Sequence, residues 1–184
     1  MRWTFDFGVT SIVSNLISIA PMDLPLPLGK AELLERIASS CRETLSAYRG
    51  IGHSLFCTFP NGTCDFSSFI LARILDEVCS VESRYVVGCH HPRLSHRQRH
   101  VWLEAEGVVL DITHDQFADT GMAGWVFPLD NAWHRKFQQQ CRKAPEYPGY
   151  DQLQLDAECD AAIEAARACV GHRWQTFHFD NDRP

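Results

Sequence analysis

The sequence predicts an α+β fold in which one largely buried helix packs against an antiparallel β-sheet. The helix follows a turn at residues 60–62. Its apolar face consists of residues that recur at spacings of three and four, namely Phe66, Phe69, Ile70 and Ile74. The sheet is indicated by two segments, 99–105 and 107–113, in which apolar and polar residues alternate. Helical patterns on both sides of these segments predict extra flanking helices.

Length and composition suit a single globular domain. The chain has 184 residues, of which 45% are hydrophobic and 22% are charged, so it can bury a substantial core. We expect one domain over residues 1–184, with its core at about 53–130. A helical region at 11–50 and a C-terminal helix at 156–171 would flank that core.

Charge and hydropathy argue against two classes of partner. A net charge of −6 weighs against a nucleic-acid partner, because phosphate binding needs a basic surface. The apolar stretch at 11–21 is too short to span a bilayer, which argues against a membrane partner. The residues before it lack the strongly basic region of a cleavable signal peptide. We therefore expect a cytoplasmic protein, or one exported without a cleavable signal.

The positions of the eight cysteines predict free thiols and not disulfide bonds. Several of them, such as Cys79, Cys89 and Cys169, lie inside apolar helix or strand patterns. A free cysteine in such a position behaves as a small hydrophobic residue. We interpret most of the cysteines as reduced core residues.

The N-terminal third predicts one strand and two helices. Residues 3–7 are predicted to form a short strand, and residues 11–20 a short amphipathic helix. Three prolines predict an extended connector at residues 22–29. From Lys30 to Tyr48, apolar residues recur at helical spacing, and two glycines then end this second helix.

The remaining elements follow from similar patterns. Residues 54–59 are predicted as a short strand or an extended lead-in, and residues 82–89 as a strand. Residues 121–128 contain a loop or a strand, and residues 131–141 are predicted to be helical. The segment 156–171 is rich in strong helix formers and ends at a glycine, so it predicts a helix.

Cys64 is placed at or beside the first turn of the buried helix. Thr63 or Asp65 is the predicted capping residue at that end. A helix N-terminus offers unpaired N–H groups and a partial positive charge. Both features favour a thiolate over a thiol, so the position predicts a reactive cysteine.

A histidine and an aspartate lie on the two neighbouring strands. With a two-residue loop at Ala105–Glu106, His100 would lie directly opposite Asp111, within reach of a side-chain contact. A three-residue loop would shift the register by one and place the two side chains on opposite faces. Asp111 is flanked by apolar residues, so its carboxylate needs a partner, and His100 is the nearest one.

The order Cys, His, Asp is that of a nucleophile, its base and the group that orients the base. Four segments, in this order, carry motifs similar to those of a known family: Gly62–Phe69, Arg84–Gly88, His100–Glu104 and Val109–Thr113. Residues 58–117 thereby resemble the transglutaminase-like core of the papain-like cysteine hydrolase superfamily. The resemblance implies a papain/transglutaminase-like fold with Cys64 as nucleophile, His100 as base and Asp111 as orienter. The flanks at 1–50 and 118–184 carry no such resemblance.

Four further residues are candidates for substrate or oxyanion contacts. Asn61 precedes the nucleophile and could supply an oxyanion donor, with His53 behind it, although an Asn before Gly is also a common turn residue. Gln116 could line the cleft beyond the triad. Trp102 is a candidate for the wall of the site.

The residues and the resemblance together predict a cysteine hydrolase or acyltransferase that acts on a protein or peptide substrate through a thioester, with no cofactor. A peptide-processing enzyme or a toxin-like effector of bacterial type would fit this chemistry. One alternative is a zinc-binding module built from clustered ligands, namely Cys89, His90, His91, His96 and His100. Another is a scaffold of the same fold that binds a partner while its thiol stays idle.

Overall fold

The structure is a computed structural model and describes residues 29–149 and 152–171. The strand predicted at 3–7 and the helix predicted at 11–20 lie outside the described residues. The described part contains three α-helices: α1 (Lys30–Ser46), α2 (Cys64–Cys79) and α3 (Gln152–Val170). It also contains five β-strands: β1 (Arg84–Cys89), β2 (Arg99–Ala105), β3 (Val108–Leu110), β4 (Val126–Pro128) and β5 (Gln139–Lys143).

The five strands form one sheet in the order β4-β3-β2-β1-β5. Every neighbouring pair is antiparallel. Helix α2 packs on β2, and α3 packs on α1 and α2. The predicted α+β class with an antiparallel sheet and flanking helices is confirmed. None of the helices in the described residues is long and apolar enough to cross a bilayer.

Successive side chains of β2 point to opposite faces of the sheet, and each face is covered by its own apolar cluster. Val101 and Leu103 face the helices and belong to the main core. Trp102 points to the other face, where it packs with Trp133 and Phe137 in a smaller aromatic cluster. Full burial of a side chain such as Leu103 stabilises the fold by about 1.5–3 kcal/mol. Both faces of the central strand are therefore covered.

Two helices agree with the sequence pattern. Helix α1 begins at Lys30, as predicted, and buries the face that contains Leu34, Ile37 and Cys41. Helix α3 covers the segment predicted at 156–171 and begins one turn earlier. Strand β4 lies within the segment predicted as a loop or a strand.

Two segments differ from the sequence prediction. Residues 54–59 form successive turns instead of a strand or an extended lead-in, and Phe56 and Phe59 are buried in those turns. The helix predicted at 131–141 is wrong: this segment contains a 3₁₀ turn at His134–Lys136 and the start of β5. Strand β5 pairs with the edge of β1, and such tertiary pairing outweighs local helical spacing.

The hairpin between β2 and β3 also differs in its loop. The turn residues are Glu106 and Gly107, with φ angles of 51° and 78°, and not Ala105 and Glu106. Positive φ at both central residues is typical of a type I′ turn, which favours glycine at the second position. Ala105 therefore pairs with Val108. The register moves by two residues, so every side chain stays on its predicted face.

Candidate active site

Cys64 is the first residue of α2 and is 8% exposed. Thr63 occupies the N-cap position, but its hydroxyl donates to the Pro60 carbonyl (3.1 Å) and does not cap the helix. Asp65 lies within the helix, where its carboxylate accepts from the Tyr85 hydroxyl (3.1 Å). The predicted side-chain cap is therefore wrong. The first-turn N–H groups lack intrahelical acceptors, so they can donate to a bound group.

His100 lies on β2 with its ring enclosed by aromatic side chains. It is 0% exposed. The nearest ring centroids are those of Phe117 (5.0 Å), Trp133 (5.5 Å), Trp102 (5.9 Å) and Phe137 (6.2 Å). This aromatic enclosure excludes water from most of the imidazole. Charges near the ring therefore interact more strongly than they would in solvent.

His100 and Asp111 form a buried hydrogen-bonded pair. His100 Nε2 lies 2.7 Å from Asp111 Oδ2. The other carboxylate oxygen, Oδ1, accepts from the Thr113 N–H (3.0 Å) and the Thr113 hydroxyl (3.3 Å). Asp111 is 2% exposed, so its charge depends on these partners.

The pKa values of the pair move in opposite directions. Burial alone would lower the pKa of His100. The charge and hydrogen bond of Asp111, together with a smaller effect of Cys64, outweigh burial and raise this pKa to about 10. Burial alone would raise the pKa of Asp111, but His100 and His134 hold it well below its ordinary value. The site therefore favours an ionised Asp111 beside a strongly basic imidazole.

Gln116 contacts the other nitrogen of the His100 ring. The Gly62 N–H donates to Gln116 Oε1 (3.2 Å), and Gln116 Nε2 donates to the Thr113 carbonyl (3.0 Å). These bonds orient the amide so that Nε2 faces His100 Nδ1 at 3.3 Å. In the neutral ring, Nε2 therefore carries the proton for Asp111, and Nδ1 carries the lone pair. Because Nε2 is directed at Asp111, a second proton on the ring would be carried by Nδ1.

His134 is a second histidine on the same carboxylate, and the sequence prediction did not include it. Its Nε2 lies 3.0 Å from Asp111 Oδ2, and the residue is 2% exposed. Burial lowers the pKa of His134, although Asp111 partly opposes this effect. The sequence offered only a histidine beside Trp133, in a segment predicted to be helical.

The other predicted candidates lie around this centre. Asn61 and His53 are exposed in the turns before α2. The Asn61 backbone carbonyl accepts from the Thr58 hydroxyl (2.9 Å), as expected of a turn residue. Trp102 is 1% exposed and packs on His134, with ring centroids 4.8 Å apart, so it forms part of the wall.

Arg42 of α1 holds the segment that carries Asp111 and Gln116. Its guanidinium donates to the Ile112 carbonyl and to both carboxylate oxygens of Asp115 (3.0 and 2.7 Å). The same group stacks over the Trp125 ring, 4.2 Å from its centroid. The helix layer thereby fixes the loop that follows β3.

A group of three side chains in the described residues could hold a metal ion: His100, Asp111 and His134. Their ligand atoms lie within 4.8 Å of one another, but hydrogen bonds already join both histidines to the carboxylate. Of the residues in the predicted zinc cluster, only His100 belongs to this group. Cys89 to His96 contribute no further ligand to it.

All eight cysteines are free thiols. Burial raises the pKa of Cys79 to about 12 and that of Cys159 to about 11. Burial also raises the pKa of Cys41 far above its ordinary value. These three thiols are therefore poor nucleophiles at neutral pH, and they provide internal controls for Cys64.

No known family model matches the chain, and searches of curated proteins and of solved structures found no significant match. The functional interpretation therefore depends on the geometry of the site.

Proposed function

We propose that this protein is a cysteine-dependent hydrolase or acyltransferase that acts on an amide or related acyl carbonyl. One observation carries the proposal. The buried His100 lies 2.7 Å from the ionised Asp111, its pKa is raised in part by Cys64, and Cys64 begins a helix. A thiol, a base and an orienting carboxylate are the parts of nucleophilic acyl transfer.

The first step starts from an ion pair, in which the Cys64 proton already lies on His100 Nδ1, as the raised pKa of His100 favours. Asp111 accepts the Nε2 hydrogen bond, and its negative charge stabilises the imidazolium that results. The helix N-terminus stabilises the thiolate. The sulfur then attacks the acyl carbonyl, so that a C–S bond forms while the carbonyl π electrons move to oxygen.

The second step releases the leaving group and then resolves the thioester. His100 gives its Nδ1 proton to the leaving amine as the C–N bond breaks. Water or a second amine next attacks the thioester and gives a proton to His100 Nδ1. The C–S bond then breaks, and this proton restores the Cys64 thiol. Water gives hydrolysis or deamidation, and an amine gives acyl transfer. Both outcomes belong to the proposal.

The oxyanion needs donors near Cys64. The backbone N–H of Cys64 is one candidate, because it belongs to the open first turn of α2. Gln116 is the side-chain candidate, because its amide nitrogen lies 3.3 Å from His100 Nδ1 and therefore beside the reacting groups. This contact favours Gln116 over the exposed Asn61.

The substrate class follows from the resemblance of residues 58–117 to transglutaminase-like enzymes. A protein or peptide with a glutamine-type or backbone amide is therefore the proposed substrate. A role in peptide maturation, or as a toxin-like effector, would suit this class.

The decisive experiment measures alkylation of each cysteine by limiting iodoacetamide, with mass spectrometry, in the wild type and in His100→Ala. We expect Cys64 to react at least about tenfold faster than the buried Cys79 at pH 7, because burial raises the pKa of the Cys79 thiol to about 12 and His100 supports the Cys64 thiolate. The advantage should disappear in His100→Ala. Equal rates at Cys64 and Cys79 in the wild type would favour an idle scaffold and reject the enzyme.

A further inference from the structure

We propose that His134 is a positioning residue of this site, which holds the Asp111 carboxylate in the orientation that His100 requires. This inference rests on the proposed function, because it assigns to His134 the support of the His100–Asp111 pair.

The Asp111 carboxylate depends on side-chain contacts for its orientation. Asp111 lies just beyond the end of β3, and its backbone N–H donates to the Trp125 carbonyl (2.9 Å). Thr113 holds Oδ1, whereas Oδ2 receives His100 at 2.7 Å and His134 at 3.0 Å. Two donors on each oxygen fix the plane of a group that could otherwise rotate. Without His134, only one side-chain contact would hold Oδ2.

The His134 ring is itself held by its own segment of chain. Asn131 Oδ1 accepts from the Trp133 N–H (2.9 Å) and the His134 N–H (3.3 Å), and it lies 3.2 Å from His134 Nδ1. The Gln140 amide donates to the His134 carbonyl (2.9 Å). The ring also packs against Trp102, with centroids 4.8 Å apart. A ring fixed on these sides can orient the carboxylate that it contacts.

Packing alone would not require an imidazole at this position. A leucine or phenylalanine could fill an apolar space between Trp102 and Trp133. What histidine adds is an N–H directed at the oxygen that also serves His100. Removing that donor would leave a buried carboxylate lone pair unpaired, which is costly.

The test compares two substitutions of His134, with iodoacetamide as the probe and the rate of Cys64 alkylation as the readout. We expect His134→Leu to slow alkylation about tenfold at pH 7 and to move the rate profile to higher pH, because a displaced Asp111 no longer supports the imidazolium. His134→Gln keeps an N–H donor near the same place and should stay within about threefold of the wild type.

His91→Gln is the matched control. His91 is 2% exposed and lies in the same aromatic cluster, with its ring 5.0 Å from Trp133 and 4.8 Å from Phe137. The described contacts of His91 are with those rings, with the Arg93 N–H and with the Trp133 backbone, and none of them is with Asp111. The His91 variant should therefore alkylate like the wild type.

Several results would overturn the inference. Unchanged rates in His134→Leu, or equal slowing in the Leu and Gln variants, would exclude positioning by a hydrogen bond. If His134→Leu reacts faster than the wild type and its rate profile moves to lower pH, His134 acts only by screening the Asp111 charge, and the inference is overturned. If His134→Leu loses its circular dichroism signal, Asn131→Ala replaces it. That change removes the acceptor for the Trp133 and His134 N–H groups, which holds the turn that carries the ring, and a wild-type rate would overturn the inference.

The same data separate this inference from the proposed function. If Cys64 alkylation in the wild type does not depend on His100, both ideas fail. If it depends on His100 but not on His134, the enzyme proposal stands and only the role of His134 is lost.

Discussion

His100 and Asp111 contact each other diagonally across the β2–β3 hairpin, with 2.7 Å between Nε2 and Oδ2. The ladder ends at the Leu103–Leu110 pair, so Asp111 would next fall opposite Trp102 and not opposite His100. Diagonal neighbours on one face remain within reach of long side chains. The pair therefore tolerates a register change of two residues, whereas a change of one would place the side chains on opposite faces.

The raised pKa of His100 predicts a stability that falls as the pH rises. Its folded-state pKa of about 10 exceeds the ordinary value, so the folded protein binds the proton more tightly than the unfolded chain does. This contribution is complete below about pH 6.5 and is lost as the pH rises towards 10, at up to about 1.4 kcal/mol per pH unit. Urea unfolding between pH 6 and 10 would measure it.

The background for this measurement is Cys64→Ala, in which Asp111 remains as the main cause of the raised pKa and the Cys64 thiol cannot titrate. The control adds His100→Gln to that variant. Other buried groups that titrate in this range, such as Tyr85 and Cys79, contribute equally to both proteins. Parallel pH profiles in the two proteins would contradict the His100 prediction.

The position of Gln116 predicts that its loss impairs acyl chemistry more than thiol reactivity. Gln116→Ala should lower the hydrolysis of p-nitrophenyl acetate by about 10²-fold, because an oxyanion donor is removed. Its alkylation by iodoacetamide should change by less than about threefold, because that displacement develops no oxyanion. Steady-state ester hydrolysis and mass spectrometry of Cys64 supply the two measurements.

Gln139→Ala provides the control for this experiment, since Gln139 is an exposed residue on the edge strand β5. It should leave both rates unchanged. If Gln116→Ala slows alkylation as much as hydrolysis, the amide acts by positioning His100 and the oxyanion role is excluded.

The sequence anticipated the parts of the site that local patterns encode. Helical spacing placed Cys64 at a helix start, and alternation placed His100 and Asp111 on one face of a hairpin. The predicted faces are correct although the predicted loop was wrong, because the register moved by two residues and the side-chain period of a strand is two. The sequence also predicted that Gln116 lines the cleft, because this residue closely follows the Asp111 strand. It did not predict the contact between Gln116 and His100.

His134 could not be predicted because its position depends on distant pairing. Residues 139–143 join the edge of β1, and this pairing brings the preceding turn over the sheet. Local spacing at 131–141 favours a helix and carries no sign of that edge. The aromatic cluster beneath His100 was missed for the same reason, since Trp133 and Phe137 reach it only after β5 has formed.

The last prediction concerns Gly88, which lies opposite His100 on β1. A Cβ at this position would lie 2.6 Å from the Trp102 ring and 2.7 Å from the Phe137 ring. Both rings are buried beside His100, so neither can move away without cost. Gly88→Ala should therefore lower the free energy of unfolding by about 1–3 kcal/mol, as overpacked cores do. Urea denaturation would measure the change.

Gly52→Ala is the matched control, because a Cβ there meets no atom within 4 Å and the residue does not need a positive φ. Its free energy of unfolding should stay within about 0.5 kcal/mol of the wild type. Because the aromatic rings enclose His100, Gly88→Ala should also slow Cys64 alkylation under native conditions. A Gly88 variant as stable and as reactive as the Gly52 variant would show that the enclosure is loosely packed and does not hold the imidazole.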